Sequence, residues 1–380
     1  MPNNGTPKRC KRRAPVVLVS FTWFALLLFG VLSRLHAVDR EIILTTNTVL
    51  RIMAANLTGN SQKYEANSIR IFQGLKPDIV AIQEFNYSNN TPAQIRQMID
   101  TAFGTNFSYF RESGYAIPNG VISRYPIRAS GSWDDTLIPD RGFAWAQLDV
   151  PGTNDLYVVS VHLKAGSGSD SLTRSNEAVA LKQLITANFP SNTFLVVAGD
   201  LNAQNRGEPA LTVLKMFLSD SPIPTDAESG GDPDTNGPRS QPYDFVLPDF
   251  SFVTNLVPVQ IDTQSFSNGL VFDSRVFTPL SSVAPVQFAD SGFNQHMAVL
   301  KDFRIQFTVT NIVDVPRPVL AQSGTNTIRW NTTPGITYTV ERSTNLTNWS
   351  NAAQFTADGT SAVFTNILSA SPYQFYRVSF

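Results

Sequence analysis

Six apolar runs in this chain begin or end on a carboxylate, carboxamide or imidazole. They are Ala54-Ala55-Asn56-Leu57, Ala81-Ile82-Gln83-Glu84, Val161-His162-Leu163-Lys164, Gly199-Asp200-Leu201-Asn202, Tyr243-Asp244-Phe245-Val246 and Gln295-His296-Met297-Ala298. Such side chains suit phosphate chemistry, which draws on oxygen ligands for a cation and on groups that hold or move a proton. A buried apolar strand has no reason to finish in Glu, His or Asp unless charge is needed there, because an isolated carboxylate is costly to bury. Strands that share a sheet edge bring their ends to one cleft. Singly, each residue reads as a loop cap or a satisfied core group. Six in order along one chain point to a site.

The elements that must position them alternate between strand-like and amphipathic stretches up to about residue 305. Leu50–Ala55, Ile79–Ile82, Val121–Ser123, Trp145–Val150, Tyr157–Val161, Phe194–Ala198, Phe245–Leu247 and Met297–Leu300 read as strands. Ser61–Leu75 has apolar residues at helical spacing and stops at Lys76-Pro77-Asp78. Thr91-Pro92 reads as an N-cap followed by proline in the first turn, opening a helix to about Phe103. Helices are also expected over Ser171–Phe189 and Glu208–Leu218. From about Phe307 the pattern changes to short alternating runs between turn signals, among them Thr327–Trp330, Thr337–Glu341, Ala362–Thr365 and Phe375–Phe380. That is the pattern of a small all-β sandwich over 316–380, with Pro316 and Pro318 marking a linker.

In this order the motifs resemble the endonuclease/exonuclease/phosphatase superfamily, the deoxyribonuclease I-like fold. The matching pieces are Asn56, Gln83-Glu84, Asn119-Gly120-Val121-Ile122-Ser123-Arg124, His162-Leu163-Lys164, Gly199-Asp200-Leu201-Asn202, Tyr243-Asp244-Phe245-Val246 and His296, covering a catalytic domain of residues 46–305. The resemblance implies an α/β fold of four layers (αββα), two sheets face to face with helices outside. It implies Mg²⁺ or Mn²⁺ as cofactor, with Glu84 as principal metal ligand and Asn56 assisting it. By position, His296 engages the scissile phosphate and attacking water, and Asp244 orients it. Asp200 positions the water or takes its proton, Asn202 hydrogen-bonds phosphate oxygens, and His162 serves as general acid. Arg141, in Arg141-Gly142-Phe143, stands where an arginine binds phosphate; a solvated turn residue is the other reading.

One position departs from the family pattern. Asp usually precedes the last histidine, and this chain has Gln295, an amide that cannot replace the carboxylate's charge on a metal. Asp290 reaching back to the site is one possibility, against which stands a plain loop aspartate. Glu112 is a further candidate partner for His162. Asp232-Pro233-Asp234-Thr235-Asn236-Gly237 opens like a calcium loop, but its twelfth position is Tyr243 rather than Glu, so a polar loop is expected. Ser265–Phe277, with Phe266, Phe272 and Phe277, reads either as an exposed apolar loop or as strands.

The expected activity is hydrolysis of phosphate esters, in nucleic acid, phospholipid or a small phosphodiester, with no obligate protein partner. Formal net charge is −1, so the chain does not grip nucleic acid by bulk electrostatics. The alternative is a non-catalytic binding protein that keeps the fold and has lost one metal-site carboxylate at Gln295. A basic block (Lys8, Arg9, Lys11, Arg12, Arg13) precedes an uncharged run from Ala14 to Leu32, so residues 1–37 read as a signal peptide, or alternatively a membrane anchor. Either places the protein outside the cytoplasm, secreted, periplasmic or at the cell surface. The single cysteine, Cys10, precedes that run, which leaves the rest without disulfides or Cys-ligated zinc. The C-terminal stretch from Tyr338 to Trp349, with Phe375-Tyr376-Arg377-Val378, resembles the fibronectin type III-like modules of exported bacterial proteins, which implies spacing, adhesion or surface attachment. Trp330, Tyr338 and Trp349 are expected in its core rather than on a sugar-binding platform.

Overall fold

The computed structural model describes residues 38–228, 230–315, 320–322, 327–365 and 374–380. The expected signal peptide and the linker prolines Pro316 and Pro318 lie outside the described residues. Two compact units form, one over Thr46–Phe307 and one built mainly from Thr308–Phe380.

In chain order the first unit contains the part of β1 (Val38–Ala55) from Thr46 on, α1 (Ala66–Leu75), β2 (Ile79–Ile82), α2 (Pro92–Phe103), β3 (Ser108–Arg111), β4 (Gly120–Ser123), β5 (Ile127–Asp134) and β6 (Gly142–Leu148). It continues with β7 (Leu156–His162), α3 (Asp170–Asn188), β8 (Phe194–Asp200), α4 (Pro209–Leu214) and β9 (Asp244–Pro248). The short β10 (Leu256–Val257), β11 (Val259–Ile261), β12 (Gln264–Phe266) and β13 (Leu270–Phe272) follow, then the part of β14 (Ala298–Val315) up to Phe307. One sheet has the order β10-β14-β1-β2-β4-β3, with β13 also on β14; the other has the order β5-β6-β7-β8-β9.

Alternation along the strands sorts their side chains into three apolar layers. Ile52, Ala54, Ala81 and Val121 of the first sheet meet Ala146, Val158, Ala198 and Val246 of the second. Met53, Val80 and Ile82, on the opposite face, pack against Ile69 and Phe72 of α1 and Ile95 and Met98 of α2. Val159, Val161 and Val197 pack against Ala178 and Leu181 of α3 and Leu211 and Leu214 of α4. The result is the expected four-layer α/β sandwich.

Local chemistry sets the helix limits. Thr91 caps α2 with a complete capping box through Gln94. The helix expected from Ser61 begins only at Ala66, because Glu65 is extended (φ −128, ψ −178) and gives no side-chain cap. It ends where Lys76 turns left-handed (φ 50). Strand β5 was not visible as a strand because its residues alternate between partly buried and exposed and few are aliphatic. Of the two readings of Ser265–Phe277, strands and core hold: Phe272 and Phe277 are buried and Phe266 packs against the same cluster.

The second unit is all β. Strands β15 (Ala321–Gln322), β16 (Thr327–Asn331), β17 (Thr337–Ser343), β18 (Ser350–Thr356), β19 (Ser361–Thr365) and β20 (Phe375–Ser379) form sheets of order β15-β16-β19 and β18-β17-β20. Ile328 and Trp330 of one meet Tyr338, Val340, Tyr376 and Val378 of the other in a shared core. Trp349 is not part of it: its Nε1–H donates to the Leu346 carbonyl at 3.0 Å and the Arg377 guanidinium lies 4.5 Å from its ring.

Candidate active site

Strand parity delivers the polar residues to one place. Residues 50, 52 and 54 of β1 face the second sheet, and Asn56 is the next position of that parity. Val158 of β7, Val196 and Ala198 of β8, and Val246 of β9 face the first sheet, and the same count puts His162, Asp200 and Asp244 on that side. Register completes the alignment. His162 pairs with Asp200 across the parallel β7–β8 ladder, and Asp200 with Asp244 across the antiparallel β8–β9 ladder. Three candidate side chains therefore stand in a row on adjacent strands, about 4.8 Å apart from strand to strand.

The turns that follow are also specific. Glu84 and Asn202 are both left-handed, with φ 47 and 48, and strained non-glycine backbone of this kind concentrates at functional sites. Gly199 has φ 137, and a Cβ there would meet the Val161 carbonyl and lie 2.6 Å from Gln83 Nε2. Only glycine lets β8 pass this close to Gln83, which itself donates to Ser160 Oγ at 2.8 Å across the two sheets.

Asp200 is the hub. Its Oδ1 accepts the Asn202 backbone N–H at 2.7 Å, and its Oδ2 accepts Asn56 Nδ2 at 3.1 Å. The same Oδ2 lies 3.3 Å from His162 Nε2 and 3.6 Å from His296 Nε2. Burial, with repulsion from Asp244, pushes the Asp200 carboxyl up to about 6, against the opposing pull of His296 and the hydrogen bonds from Asn202 and Asn56.

His296 Nδ1 lies 2.8 Å from Asp244 Oδ2, which also accepts Thr235 Oγ1 at 2.8 Å. Burial alone would lower the imidazole's proton affinity, but Asp244, Asp200 and Glu84 outweigh it and raise it to about 9. His296 is therefore an imidazolium at neutral pH with Nδ1–H on Asp244 and Nε2–H toward Asp200. His162 is driven the other way, well below its ordinary value, first by burial and then by the positive charges of Arg141 and His296. It is neutral, and its Nδ1 is buried without a hydrogen-bond partner among the described residues.

Glu84 is buried and accepts Thr58 Oγ1 at 2.5 Å through Oε2. Burial, together with the charge of Asp200, raises its carboxyl, while the Thr58 hydrogen bond, His296 and Asn56 hold it down. Asn56 Oδ1 is buried with no hydrogen-bond partner among the described residues. A carboxylate beside an orphaned carboxamide oxygen fits a hard divalent cation, since such ions take oxygen ligands and repay the burial of both. Asp200, Asp244 and His296 also present ligand atoms within 4.8 Å of one another. The imidazolium with its Nδ1–H on Asp244 ties that trio to proton chemistry.

The structure brings Asn56, Glu84, His162, Asp200, Asn202, Asp244 and His296 together. Arg141 is buried, gives Nε and Nη2 to Asp140, and keeps a buried Nη1 without a partner among the described residues. Its charge is felt at His162. One Nδ2 hydrogen of Asn202 donates to the Leu163 carbonyl at 3.0 Å, which holds its amide against that loop. Glu112 does not partner His162. It accepts Ser132 Oγ at 2.5 Å and the Asn119 N–H at 2.7 Å. Asp290 is a buried partner of Arg70 rather than a plain loop residue, and it does not reach back to the site. The side chain of Gln295 is exposed and donates to the Gly59 carbonyl at 3.0 Å, while its backbone N–H donates to Thr58. The calcium-like loop is a structural one, with Arg239 bridging Asp226, Asp232 and Asp273.

Sequence reading missed three contributors. Thr58 and Thr235 each hold a site carboxylate, and the Tyr243 ring lies 5.5 Å from that of His296. Tyr243 is adjacent to Asp244 and so had a signal. The threonines are ordinary loop residues in sequence.

The Endonuclease/Exonuclease/phosphatase family matches residues 56–269, more than half of the chain, and the chain belongs to that family. Among solved structures it is similar to an endonuclease/exonuclease/phosphatase from Beutenbergia cavernae DSM 12333, with 13% identity, 87% of this chain and 95% of that one covered, and a TM-score of 0.45. It is also similar to beta toxin 275-280 from Staphylococcus aureus (15% identity, 66% and 99% covered, TM-score 0.44). A third is the human Nocturnin catalytic domain with bound sulfate anion (14% identity, 72% and 98% covered, TM-score 0.45). No curated protein matches the sequence.

Proposed function

We propose that this member of the endonuclease/exonuclease/phosphatase family is an exported hydrolase of phosphate esters working with Mg²⁺ or Mn²⁺. Its substrate is a phosphodiester of nucleic acid, phospholipid or a small molecule. Family members are phosphoesterases or nucleases that generally use divalent metals. The observation that carries the reading is the row His162–Asp200–Asp244 on adjacent strands, with His296 held on Asp244 and facing Asp200.

Glu84 and Asn56 would hold the cation, which would supply Lewis-acid polarisation of a phosphoryl oxygen and offset the charge that builds up during displacement. His296 enters as an imidazolium and donates Nε2–H to a phosphate oxygen, its ring fixed by Asp244 and, through Asp244, by Thr235. Asp200, with a carboxyl near 6, takes the proton of the attacking water. Asn202 positions Asp200 through its backbone N–H. Arg141 offers Nη1 to the phosphate. His162 enters neutral, and the negative charge of a bound phosphate raises its proton affinity, so it becomes the acid for the leaving group only in the complex.

A second reading, a binding protein that has lost turnover, is favoured by Gln295 alone. The residues up to 37 are read as the export signal, and the C-terminal unit as a fibronectin type III-like module for attachment. One assay decides between hydrolase and binding protein. The full chain is offered bis(p-nitrophenyl) phosphate, plasmid DNA and sphingomyelin with Mg²⁺, Mn²⁺ or EDTA, beside Glu84→Ala and His296→Ala. Turnover that disappears with EDTA and in both variants supports the hydrolase and ranks its substrates. A folded protein that turns over none of them with either metal supports the binding reading.

A further inference from the structure

The loop that opens like a calcium site has no part in the steps above, yet it leads straight into Asp244. From Asp226 to Tyr243 its only aliphatic side chain apart from the prolines is Ala227. A segment this poor in apolar groups cannot offset the entropy of its ordering by burial, so polar contacts must set its shape.

Arg239 supplies many of those contacts. Its Nε–H donates to the Asp234 carbonyl at 2.7 Å and its Nη1 to Asp273 Oδ2 at 3.0 Å. Nη2 donates to Asp226 Oδ2 at 2.9 Å and to the Asp232 carbonyl at 3.1 Å. One guanidinium thus joins three stretches of chain: Asp226, the run Asp232 to Asp234, and Asp273 just past β13. The side chains of Asp226 and Asp273 are each 2% exposed, and carboxylates so buried are costly unless paired. Arg239 itself is left-handed (φ 56), with its N–H on the Asn236 carbonyl at 2.8 Å. Lysine could not replace it, because a single ammonium lacks the planar fork that reaches all these acceptors at once.

What the guanidinium holds in place is Thr235, the residue after Asp234. The Thr235 hydroxyl donates to Asp244 Oδ2 at 2.8 Å and accepts the Asp244 N–H at 2.8 Å. Its carbonyl accepts the Met297 N–H at 2.7 Å, Asn236 forms an antiparallel bridge with His296, and the Gly237 N–H donates to the Gln295 carbonyl at 2.6 Å. Three consecutive loop residues therefore run beside Gln295-His296-Met297, and the first of them also grips Asp244. Asp244 Oδ1 is buried without a hydrogen-bond partner among the described residues. Rotation of the carboxylate is accordingly set at Oδ2, where Thr235 and His296 Nδ1 meet.

We propose that Arg239 is a positioning residue for the Asp244–His296 pair, acting through Thr235. It fixes the loop, the loop fixes the hydroxyl, and the hydroxyl holds the carboxylate on the imidazole. The inference rests on the proposed function only in treating Asp244 and His296 as the working pair. An ion cluster that served stability alone would be indifferent to the Thr235 hydroxyl, and that difference can be measured.

A double-mutant cycle on the full chain makes the test. Thr235→Val removes the hydroxyl at nearly constant shape, and Arg239→Lys keeps the charge and loses the fork. Each is followed by phosphodiester hydrolysis, by thermal unfolding, and by the solvent-exchange rate of the His296 Nδ1–H in proton NMR, assigned by its loss in His296→Gln. Each single change should lower kcat roughly tenfold with KM nearly unchanged, and should speed that exchange roughly tenfold. In the double variant the second change should add less than about threefold, because both act through one hydroxyl. Three results overturn the proposal: effects that multiply, a Thr235→Val protein that behaves as the unaltered one, and an Arg239→Lys protein that melts earlier with kcat and exchange rate unmoved. If Arg239→Lys does not fold, Arg239→Gln combined with Asp226→Asn, which leaves no unpaired charge at Asp226, takes its place in the cycle. Failure of that protein to fold as well assigns Arg239 to the fold alone and also overturns the proposal. Exchange rates that are coupled in a protein that hydrolyses no phosphate ester keep this inference and remove the proposed function. Hydrolysis with independent effects of the two changes does the reverse.

Discussion

Replacing Asp244 with asparagine removes one charge and almost no volume. The asparagine Oδ1 can still accept the His296 Nδ1–H, so geometry is largely kept while the electrostatics change. In the folded protein His296 is raised to about 9 from an ordinary 6.5, which corresponds to on the order of 3 kcal/mol. Because the folded value lies above the unfolded one, this stability is fully present below about pH 6.5 and is lost as pH rises through about 9. Burial opposes the shift, and Asp244 is the strongest of the influences that raise it, ahead of Asp200 and Glu84. An adjacent opposite charge is worth about 1–3 pKa units, or about 1.4–4 kcal/mol.

Asp244→Asn should therefore bring His296 down to between about 6 and 8, so that from about a quarter to nearly all of it is neutral at pH 7.5. Hydrolysis of a phosphodiester at that pH should fall by up to about 30-fold from the lost protonation, and the deficit should narrow at pH 5.5, where the imidazole is protonated again. The chain has three histidines, so His296 can be followed directly by NMR titration beside the pH–rate profile. If His296 in the variant titrates within about half a unit of the unaltered protein, the assignment of its charge to Asp244 is wrong.

Other changes probe other parts of the site. Excess Mg²⁺ or Mn²⁺ should stabilise the protein by about 2.7 kcal/mol at a hundred times the dissociation constant. Glu84→Gln should lose most of that gain in thermal unfolding, whereas an equal gain in the variant would place the cation elsewhere. Gly199→Ala should cost about 2–4 kcal/mol in urea unfolding, since the new Cβ meets the Val161 carbonyl and Gln83 at a positive φ. A loss under about 1 kcal/mol would show that β7 and β8 separate easily there. Gln295→Ala removes an exposed hydrogen bond to Gly59 and should change stability by less than about 1 kcal/mol. It should leave metal-dependent stabilisation intact, and a collapse of that stabilisation would make Gln295 a partner of the cation.

What could be read from sequence follows the range of the forces involved. Strand ends such as Gly199-Asp200 and Ile82-Gln83-Glu84 announce themselves because a polar residue breaks a long apolar run, and parity within a strand is a local property. Thr91 capping α2 is local too. Register is not. That His162 and Asp244 both fall opposite Asp200 depends on how β7, β8 and β9 pair, and no spacing along the chain encodes it. Thr58 and Thr235 were invisible for the same reason, as each is defined by a carboxylate that is 26 or 9 residues away. Glu112 shows the converse: a buried carboxylate of the right type reads as a candidate partner for His162, when Ser132 and the Asn119 and Gly142 N–H groups already satisfy it. Gln295 belongs with these. Its neutral side chain breaks the family pattern at the residue before His296, yet its bonds run to Thr58 and Gly59. The Thr58 bond is made by the backbone N–H, which any residue but proline would supply, so the departure itself alters only the exposed side-chain bond to the Gly59 carbonyl.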